Sequence, residues 1–102
     1  MQMKFVGGSL LQTFSPDAGK SQVTTGMTGT KIFKKGTGAD VNINEWVCIR
    51  VNSAAAGTYY FNSDSTKTFP LPIGTSDVYV ASDDIVQVTI TFGAGTNYVQ
   101  GM

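Results

Sequence analysis

The feature that most constrains the fold of this chain is its excess of β-branched and aromatic residues. Valine, isoleucine, threonine, phenylalanine, tyrosine and tryptophan together supply 40 of the 102 residues, against three leucines and one glutamate. Side chains of these types fit the pleated, half-buried surface of a sheet, whereas straight-chain residues favour helices. Twelve glycines and eight serines stand mostly between the apolar runs, where they favour turns. The composition therefore predicts an all-β protein.

The length of the chain limits the number of domains. A chain of 102 residues buries about two-thirds of the surface of its unfolded form, which is enough for one core. No linker or low-complexity segment divides it. We therefore expect a single domain over residues 1–102, in which residues 1–23 are either an N-terminal arm that reaches a neighbour or an edge strand of the same domain.

The alternation of apolar and polar residues predicts where the strands lie. It predicts one long strand over residues 41–51, with Trp46 and Cys48 on a second face that is covered by a loop, an arm or another subunit. The same alternation over residues 84–92 predicts a strand with one exposed face. Pro70 and Pro72 cannot donate to a ladder, so they predict an edge strand or a connection between sheets. Shorter strands are predicted at residues 9–14, 22–27, 31–34, 58–61, 76–80 and 97–100.

The number and spacing of these strands predict the architecture. About eight short strands with a turn every 8 to 12 residues or so are typical of two packed antiparallel sheets. The predicted fold class is therefore all-β: a single-domain antiparallel β-sandwich or jelly roll.

The chain lacks the residues of most catalytic sites. It has no histidine and one cysteine, which excludes an imidazole base, a histidine-ligated zinc and an intrachain disulfide. Cys48 lies in a strand pattern, and we interpret it as a reduced, buried residue rather than a nucleophile. Gly36 and Gly38 lack the third glycine and the following helix of a dinucleotide-binding loop. We expect no enzymatic activity and no cofactor.

Two acidic patterns have a simpler interpretation as turns. Residues 62–66 alternate oxygen-bearing side chains as calcium loops do, but the glycine and terminal glutamate of such loops are missing. Asp83 and Asp84 are adjacent, so in a strand they point to opposite faces and do not form a catalytic carboxylate pair. The asparagine, serine and aspartate residues of both stretches are also common in solvated turns. We therefore predict no metal site.

The charges balance over the whole chain but not along it. Residues 1–50 carry six basic and three acidic side chains, and residues 51–102 carry one and four, so the halves are +3 and −3. We favour a mixed, solvated surface over two complementary assembly faces, because the halves of a compact sheet protein interleave. A neutral chain with one small basic cluster is not expected to bind nucleic acid.

Targeting signals are also missing from the sequence. The N-terminal stretch lacks the pattern of a signal peptide, and no apolar run approaches the roughly 18 residues that span a bilayer. We expect a chain that folds in a reducing cytosol and does not associate with a membrane.

From Thr24 onward the order of features resembles that of a known class of proteins. A threonine-rich strand comes first, and four short aromatic or proline-containing motifs follow it. These are Trp46-Val-Cys-Ile-Arg-Val-Asn52, Gly57-Thr-Tyr-Tyr-Phe-Asn62, Phe69-Pro-Leu-Pro-Ile-Gly74 and Val78-Tyr-Val80, before the closing strand at residues 84–90. The order resembles the small all-β virion proteins of tailed bacteriophages, which decorate capsids or serve as adaptors and fibre modules.

The resemblance implies a structural role without enzymatic groups. It implies a capsid decoration or cement protein that is made in the host cytoplasm, lies on the capsid exterior of the virion, and stabilises the major capsid shell. The partners it implies are the major capsid protein or other virion proteins, together with further copies of the chain, a trimer being one option. The alternatives are a tail, head-fibre or adaptor component and, from another class, a carbohydrate-binding module built on exposed aromatic rings.

Six side chains are the candidates for contacts with a partner. Four belong to the N-terminal segment, whose apolar residues are interrupted by Gly7 and Gly8, and two are aromatic residues further along the chain. The candidates are Phe5, Leu10, Leu11, Phe14, Trp46 and Tyr79.

Overall fold

A computed structural model describes the backbone of residues 22–102 and the side chains of residues 26–102. This part of the chain contains nine strands and no helix, which confirms the predicted all-β class. The predicted strand at residues 9–14 lies outside the described residues, as does most of the predicted arm. The strands are β1 (Gln22–Met27), β2 (Thr30–Lys34), β3 (Val41–Asn42), β4 (Cys48–Ser53), β5 (Gly57–Phe61), β6 (Phe69–Leu71), β7 (Gly74–Tyr79), β8 (Gln87–Thr91) and β9 (Asn97–Gly101).

The strands form two packed sheets in jelly-roll order. One sheet has the order β1-β9-β4-β7 and the other β3-β2-β8-β5-β6. Neighbouring strands are antiparallel except for the short β2–β3 pair, which is parallel. Without β3, the remaining eight strands have the order of a jelly roll: successive strands lie in opposite sheets except β5 and β6, which pair in one sheet. The predicted sandwich is therefore confirmed, with nine strands in the described residues where about eight were expected for the whole chain.

Because antiparallel neighbours alternate in direction, the connections between strands collect at two ends of the sandwich. Four connections lie at one end, which we call the upper end: residues 28–29, 54–56, 72–73 and 92–96. The opposite, lower end holds the connections of residues 35–40, 43–47, 62–68 and 80–86, together with Gln22 and Met102.

The core lies between the two sheets and consists of alternate residues from each strand. Ile49 and Val51 of β4 are fully buried while Arg50 between them is exposed, which is the alternation expected of a strand with one covered face. The pattern of residues 84–92 is only partly correct. Alternation along this stretch puts Val86 and Val88 on the core face and Thr89 on the exposed face, but Thr89 is buried and Val86 is 50% exposed.

The prediction of one long strand over residues 41–51 is wrong. β3 ends at Asn42 in the five-stranded sheet, and β4 begins at Cys48 in the four-stranded sheet. The side chain of Asn42 accepts a hydrogen bond from the backbone N–H of Asn44 at 2.8 Å. An asparagine that bonds the backbone two residues on forms a turn that competes with the ladder. The chain therefore crosses between sheets in the middle of an alternating sequence.

The two prolines lie at positions where a missing backbone N–H costs the sheet no interior hydrogen bond. β6, which contains Pro70, pairs only with β5 and forms the edge of its sheet. Pro72 belongs to the connection that leads from β6 to β7 in the other sheet. Both halves of the prediction, an edge strand and a crossing between sheets, are confirmed.

Candidate interaction surfaces

The side chain of Asn97 holds the upper end together. It is fully buried at the start of β9. Its Nδ2 atom donates to the carbonyl oxygens of Met27 at 2.8 Å, Gly93 at 3.1 Å and Gly95 at 3.3 Å. Its Oδ1 atom accepts from the backbone N–H of Ala54 at 2.9 Å. One amide thus joins two of the four upper connections, residues 54–56 and 92–96, to the end of β1, which restrains them relative to one another.

Two glycines allow the upper connections to approach closely. A Cβ atom on Gly57 would overlap the carbonyl oxygen of Thr91, and one on Gly93 would overlap that of Ala56. The backbones of the β4–β5 and β8–β9 connections are therefore in direct contact. Together with the Asn97 hydrogen bonds, this packing makes the upper end a well-braced surface.

Within residues 22–102, the upper connections contain no charged side chain, and neither do the strand residues directly beside them. Ile73 at this end is 70% exposed, more than any other large apolar residue described, and Ala54, Ala56 and Ala94 are also exposed. All seven charged residues in the connections lie at the lower end: Lys35, Asp40, Glu45, Asp64, Lys67, Asp83 and Asp84.

An uncharged end is suited to being covered by protein. Removing a charged group from water is costly, and the centres of protein interfaces are depleted of charge. With strands about 4.8 Å apart and sheets about 10 Å apart, the end covers roughly 400 Å². A standard complex buries about 800 Å² on each partner. The upper end alone therefore suits a contact that is weak singly and strong when many copies or a second surface act together.

The outer face of the four-stranded sheet is a second, polar surface. Arg50 donates two hydrogen bonds to Asp77, at 2.8 and 2.9 Å, and these bonds hold the pKa of the Asp77 carboxyl below its ordinary value. Tyr79 is 64% exposed on this face. A shallow depression of about 190 Å³ lies beside the ion pair, lined by Arg50, Asn52, Thr75, Tyr98, Val99 and Gln100.

The six candidate contact residues differ in where they lie: one is exposed, one is buried, and four are outside the described residues. Tyr79 is on the surface, where a contact residue must be. Trp46 is 3% exposed and packs between the sheets against Gly101, so the prediction that it touches a partner is corrected: the turn before it directs it into the core. Phe5, Leu10, Leu11 and Phe14 lie outside the described residues. The structure brings no two of the six together within the part of the chain that it describes.

Cys48 is buried, as its strand position predicts. Burial, and secondarily the negative charge of Asp77, raises the pKa of its thiol to about 11. The thiol is therefore protonated at neutral pH, and a protonated, buried thiol is a poor nucleophile.

The acidic turns at residues 62–66 and 82–86 lie side by side. The Asn62 side chain donates to the carbonyl oxygen of Asp84 at 2.9 Å and accepts from the backbone N–H of Val86 at 2.8 Å. Asp64 accepts a hydrogen bond from the Thr66 hydroxyl at 2.9 Å. These polar groups are used to shape the turns, and residues 22–102 hold no cluster of three acidic or thiol side chains that would bind a metal.

The basic and acidic halves of the sequence interleave, which is the arrangement that we favour from the sequence. Arg50 of the first half pairs with Asp77 of the second, and the Lys35 ammonium donates to the carbonyl oxygen of Ser82 at 3.1 Å, in the turn that holds Asp83. The uncharged upper end is not among the features predicted from the sequence. Its signal was present, because uncharged and charged connections alternate along the chain, and alternate connections of an antiparallel sandwich share an end.

Comparison with protein-family models, curated protein sequences and solved structures finds no match to the chain. In the described part of the chain, no helix is long and apolar enough to cross a membrane.

Proposed function

We propose that the chain is a structural protein of a bacteriophage particle, a capsid decoration protein that binds the major capsid shell through its upper end. The observation that carries this proposal is the uncharged upper end, at which Ile73 is exposed and Asn97 braces two of the other connections. Exposed apolar groups without nearby charge mark surfaces that are covered in an assembly. The resemblance of the sequence to small phage virion proteins supplies the class of partner.

The rigidity of the jelly roll supports the same role. Three of its four upper connections, residues 28–29, 54–56 and 92–96, are held by hydrogen bonds or close backbone contacts, so they lose little conformational entropy when they dock. A weak contact of this size becomes effective on a shell, where each copy binds beside others that also contact one another. Because a jelly roll hosts many functions, the proposal rests on the surface and not on the fold.

Two alternative functions remain, and they differ in the partner that is bound or in the surface that binds it. A tail, head-fibre or adaptor component would use the same uncharged end against a different virion protein. A carbohydrate-binding module would use the outer sheet face, where Asn52, Thr75 and Gln100 line a depression beside Tyr98. The burial of Trp46 removes the largest ring from that second surface, which favours a protein partner.

Co-sedimentation with undecorated capsids tests the proposal. The capsids are assembled from the major capsid protein encoded by the same genome. The matched variants are Ala94→Lys at the upper end and Ala81→Lys at the lower end, both at exposed alanines. We expect Ala94→Lys to weaken binding about tenfold or more, because a desolvated charge costs at least about 1.4 kcal/mol. Ala81→Lys should bind as the unmodified chain does.

The outcomes separate the alternatives. Equal binding by both variants would show that the upper end is not the shell-binding surface. An unmodified chain that pellets with tails and not with capsids is an adaptor or tail component. A chain that binds neither, but binds a glycan array in a manner abolished by Tyr98→Ala, belongs to the carbohydrate class.

A further inference from the structure

The two sheets end in four strands that have a neighbouring strand on one side only within residues 22–102: β1, β7, β3 and β6. Such edges pair readily with another chain, and proteins block them with short strands, prolines, bulges or lysines. Three of the four edges are blocked in this way. β3 has two residues, β6 has three and contains Pro70, and the pairing of β1 with β9 contains a register shift.

The edge of β7 carries none of these features. Its six residues contain no proline, lysine or arginine, and they pair with β4 without a register shift. Its one charged residue, Asp77, accepts two hydrogen bonds from Arg50 of β4, so its charge is compensated within its own sheet. Of the edges in the described part of the chain, β7 is therefore the long, regular one that is open to pairing.

The backbone hydrogen bonds show which groups of β7 point to the open edge. The N–H of Val80 donates to the carbonyl oxygen of Val47 at 2.8 Å, and the register of β4 and β7 continues to this pair. In an antiparallel ladder, pairs that exchange hydrogen bonds alternate with pairs that do not. The N–H and C=O groups that point away from β4 therefore belong to every second residue of β7: Thr75, Asp77 and Tyr79.

We propose that β7 pairs antiparallel with β7 of a second copy of this chain, across a two-fold axis, so that two four-stranded sheets join into one continuous sheet. An antiparallel pair of identical strands is self-complementary, because the outward donors of each strand meet the outward acceptors of the other. The exposed side chains of both copies then lie on the same outer face, and the buried ones on the inner face.

The charge of Asp77 selects the register of this pairing. A two-fold axis through Asp77 would place the two Asp77 carboxylates opposite each other, and like charges directly opposite are destabilising. A shift by two residues pairs Asp77 with Thr75 of the second copy, and Thr75 with its Asp77. Both pairs exchange hydrogen bonds, and residues 74–78 of the two strands overlap. The opposite shift, which pairs Asp77 with Tyr79, leaves a shorter overlap.

The size of the contact predicts a weak dimer. Six residues of strand extend over about 20 Å, and with a layer about 10 Å thick the edge presents roughly 200 Å². A standard complex buries about 800 Å² on each partner. We therefore expect association that is detectable at roughly 0.1 to 1 mM protein and is lost on dilution.

This inference concerns the side of the sandwich and does not depend on the proposed function. The edge of β7 runs between the two ends, so pairing leaves both upper ends exposed. Because the paired strands are antiparallel, the two upper ends point in opposite directions, and a dimer binds one shell through one copy only. Ala94→Lys, which lies at the upper end, should dimerise as the unmodified chain does.

Hydrogen exchange of the backbone amides, followed by NMR on the full chain, tests the pairing. We expect the Thr75 and Asp77 amides to exchange about twofold or more slowly at roughly 1 mM protein than at roughly 0.05 mM, because they are hydrogen-bonded in the dimer and open to water in the monomer. The Ser76 and Val78 amides, which bond to β4, are the matched control and should exchange slowly and equally at both concentrations.

Thr75→Pro tests the same contact by sedimentation equilibrium. It removes an outward N–H that β4 does not use, and edge positions of this kind tolerate proline. We expect association to weaken about tenfold or more, because each copy loses a hydrogen bond across the axis. Thr75→Ala keeps the N–H, and its association constant should differ from that of the unmodified chain by less than about threefold.

Other results overturn the proposal. Fast exchange of the Thr75 and Asp77 amides at every concentration would show that the edge stays unpaired. Slow exchange at every concentration in a monomer would place another part of the same chain on the edge. Equal association of Thr75→Pro and Thr75→Ala would show that the copies meet through a different surface. Where Thr75→Pro does not fold, hydrogen exchange on the unmodified chain decides.

Discussion

Asn97 shows how much one residue contributes to the architecture of this domain. Its amide satisfies an N–H and three carbonyl groups that belong to two connections and to the end of β1. Backbone polar groups buried without a partner are costly, and connections cannot use the ladder to satisfy theirs. A single side chain therefore supplies hydrogen bonds that the backbone groups of two connections and of the β1 end would otherwise have to make with water.

We expect Asn97→Ala to lower the free energy of unfolding by about 3 kcal/mol, because it leaves the Ala54 N–H and several carbonyl groups unpaired in a buried site. Urea denaturation measures the change. Asn52→Ala, at an exposed position of the neighbouring strand β4, is the matched control and should change stability by less than about 0.5 kcal/mol. A loss below about 1 kcal/mol for Asn97→Ala would mean that the connections are held by their packing alone.

The sequence could not reveal these roles of single residues. An asparagine before a strand is common in turns, so Asn97 carries no mark of burial. Trp46 was assigned to the second face of a strand, and it lies in the core because a turn precedes it. Asn97 is bonded to the distant Met27 and Ala54 as well as to its own connection, and Trp46 packs against the distant Gly101. The local pattern contains no information on these distant partners.

Most strands lie where the alternation of apolar and polar residues predicts them. The exception is a stretch in which a side chain hydrogen-bonds the backbone and so interrupts the pairing of the strand. The strands β1, β2, β5, β7 and β9 lie within a few residues of their predicted positions. Residues 41–51 differ because the Asn42 side chain forms a turn within the alternating stretch. The resulting crossing positions the Trp46 ring against Gly101 of β9, so the two elements depend on each other.

Gly101→Ala tests this dependence. We expect it to lower the free energy of unfolding by about 2 kcal/mol, because the added Cβ atom overlaps the Trp46 indole and forces the ring from its position. In the background of Trp46→Leu, which removes the ring, the same substitution should cost much less. Urea denaturation of the two singles and the double variant measures the difference. An equal cost in both backgrounds would show that the strain arises elsewhere in β9.

For the molecule as a whole, the distribution of charge between the ends matters more than its distribution along the chain. In the described residues, charged side chains of the two halves of the sequence lie together at the lower end and in the Arg50–Asp77 pair. The upper end is left without charge in the described part of the chain. The described part of the molecule is therefore polarised between an uncharged end and a charged one, although the net charge of the whole chain is zero.

The dependence of stability on salt tests whether attraction between the oppositely charged halves contributes to the free energy of unfolding. The one ion pair formed within residues 22–102 joins side chains that are 43% and 24% exposed, and exposed pairs contribute about 0 to 1 kcal/mol. We expect the free energy of unfolding to change by less than about 1 kcal/mol between roughly 0.05 and 0.5 M sodium chloride, over which screening becomes nearly complete. A larger loss would show that the oppositely charged halves attract each other across the fold.

The sequence by itself determined the all-β class, the positions of most strands, the edge character of Pro70 and the burial of Cys48. Each of these depends on rotamer preference, alternation or a missing N–H, which act over a few residues. The tertiary structure alone decided which strands share a sheet, that residues 41–51 cross between sheets, and which connections meet at an end. Connections about 20 residues apart become neighbours only when strand direction and order are set, because pairing joins residues that are distant along the chain.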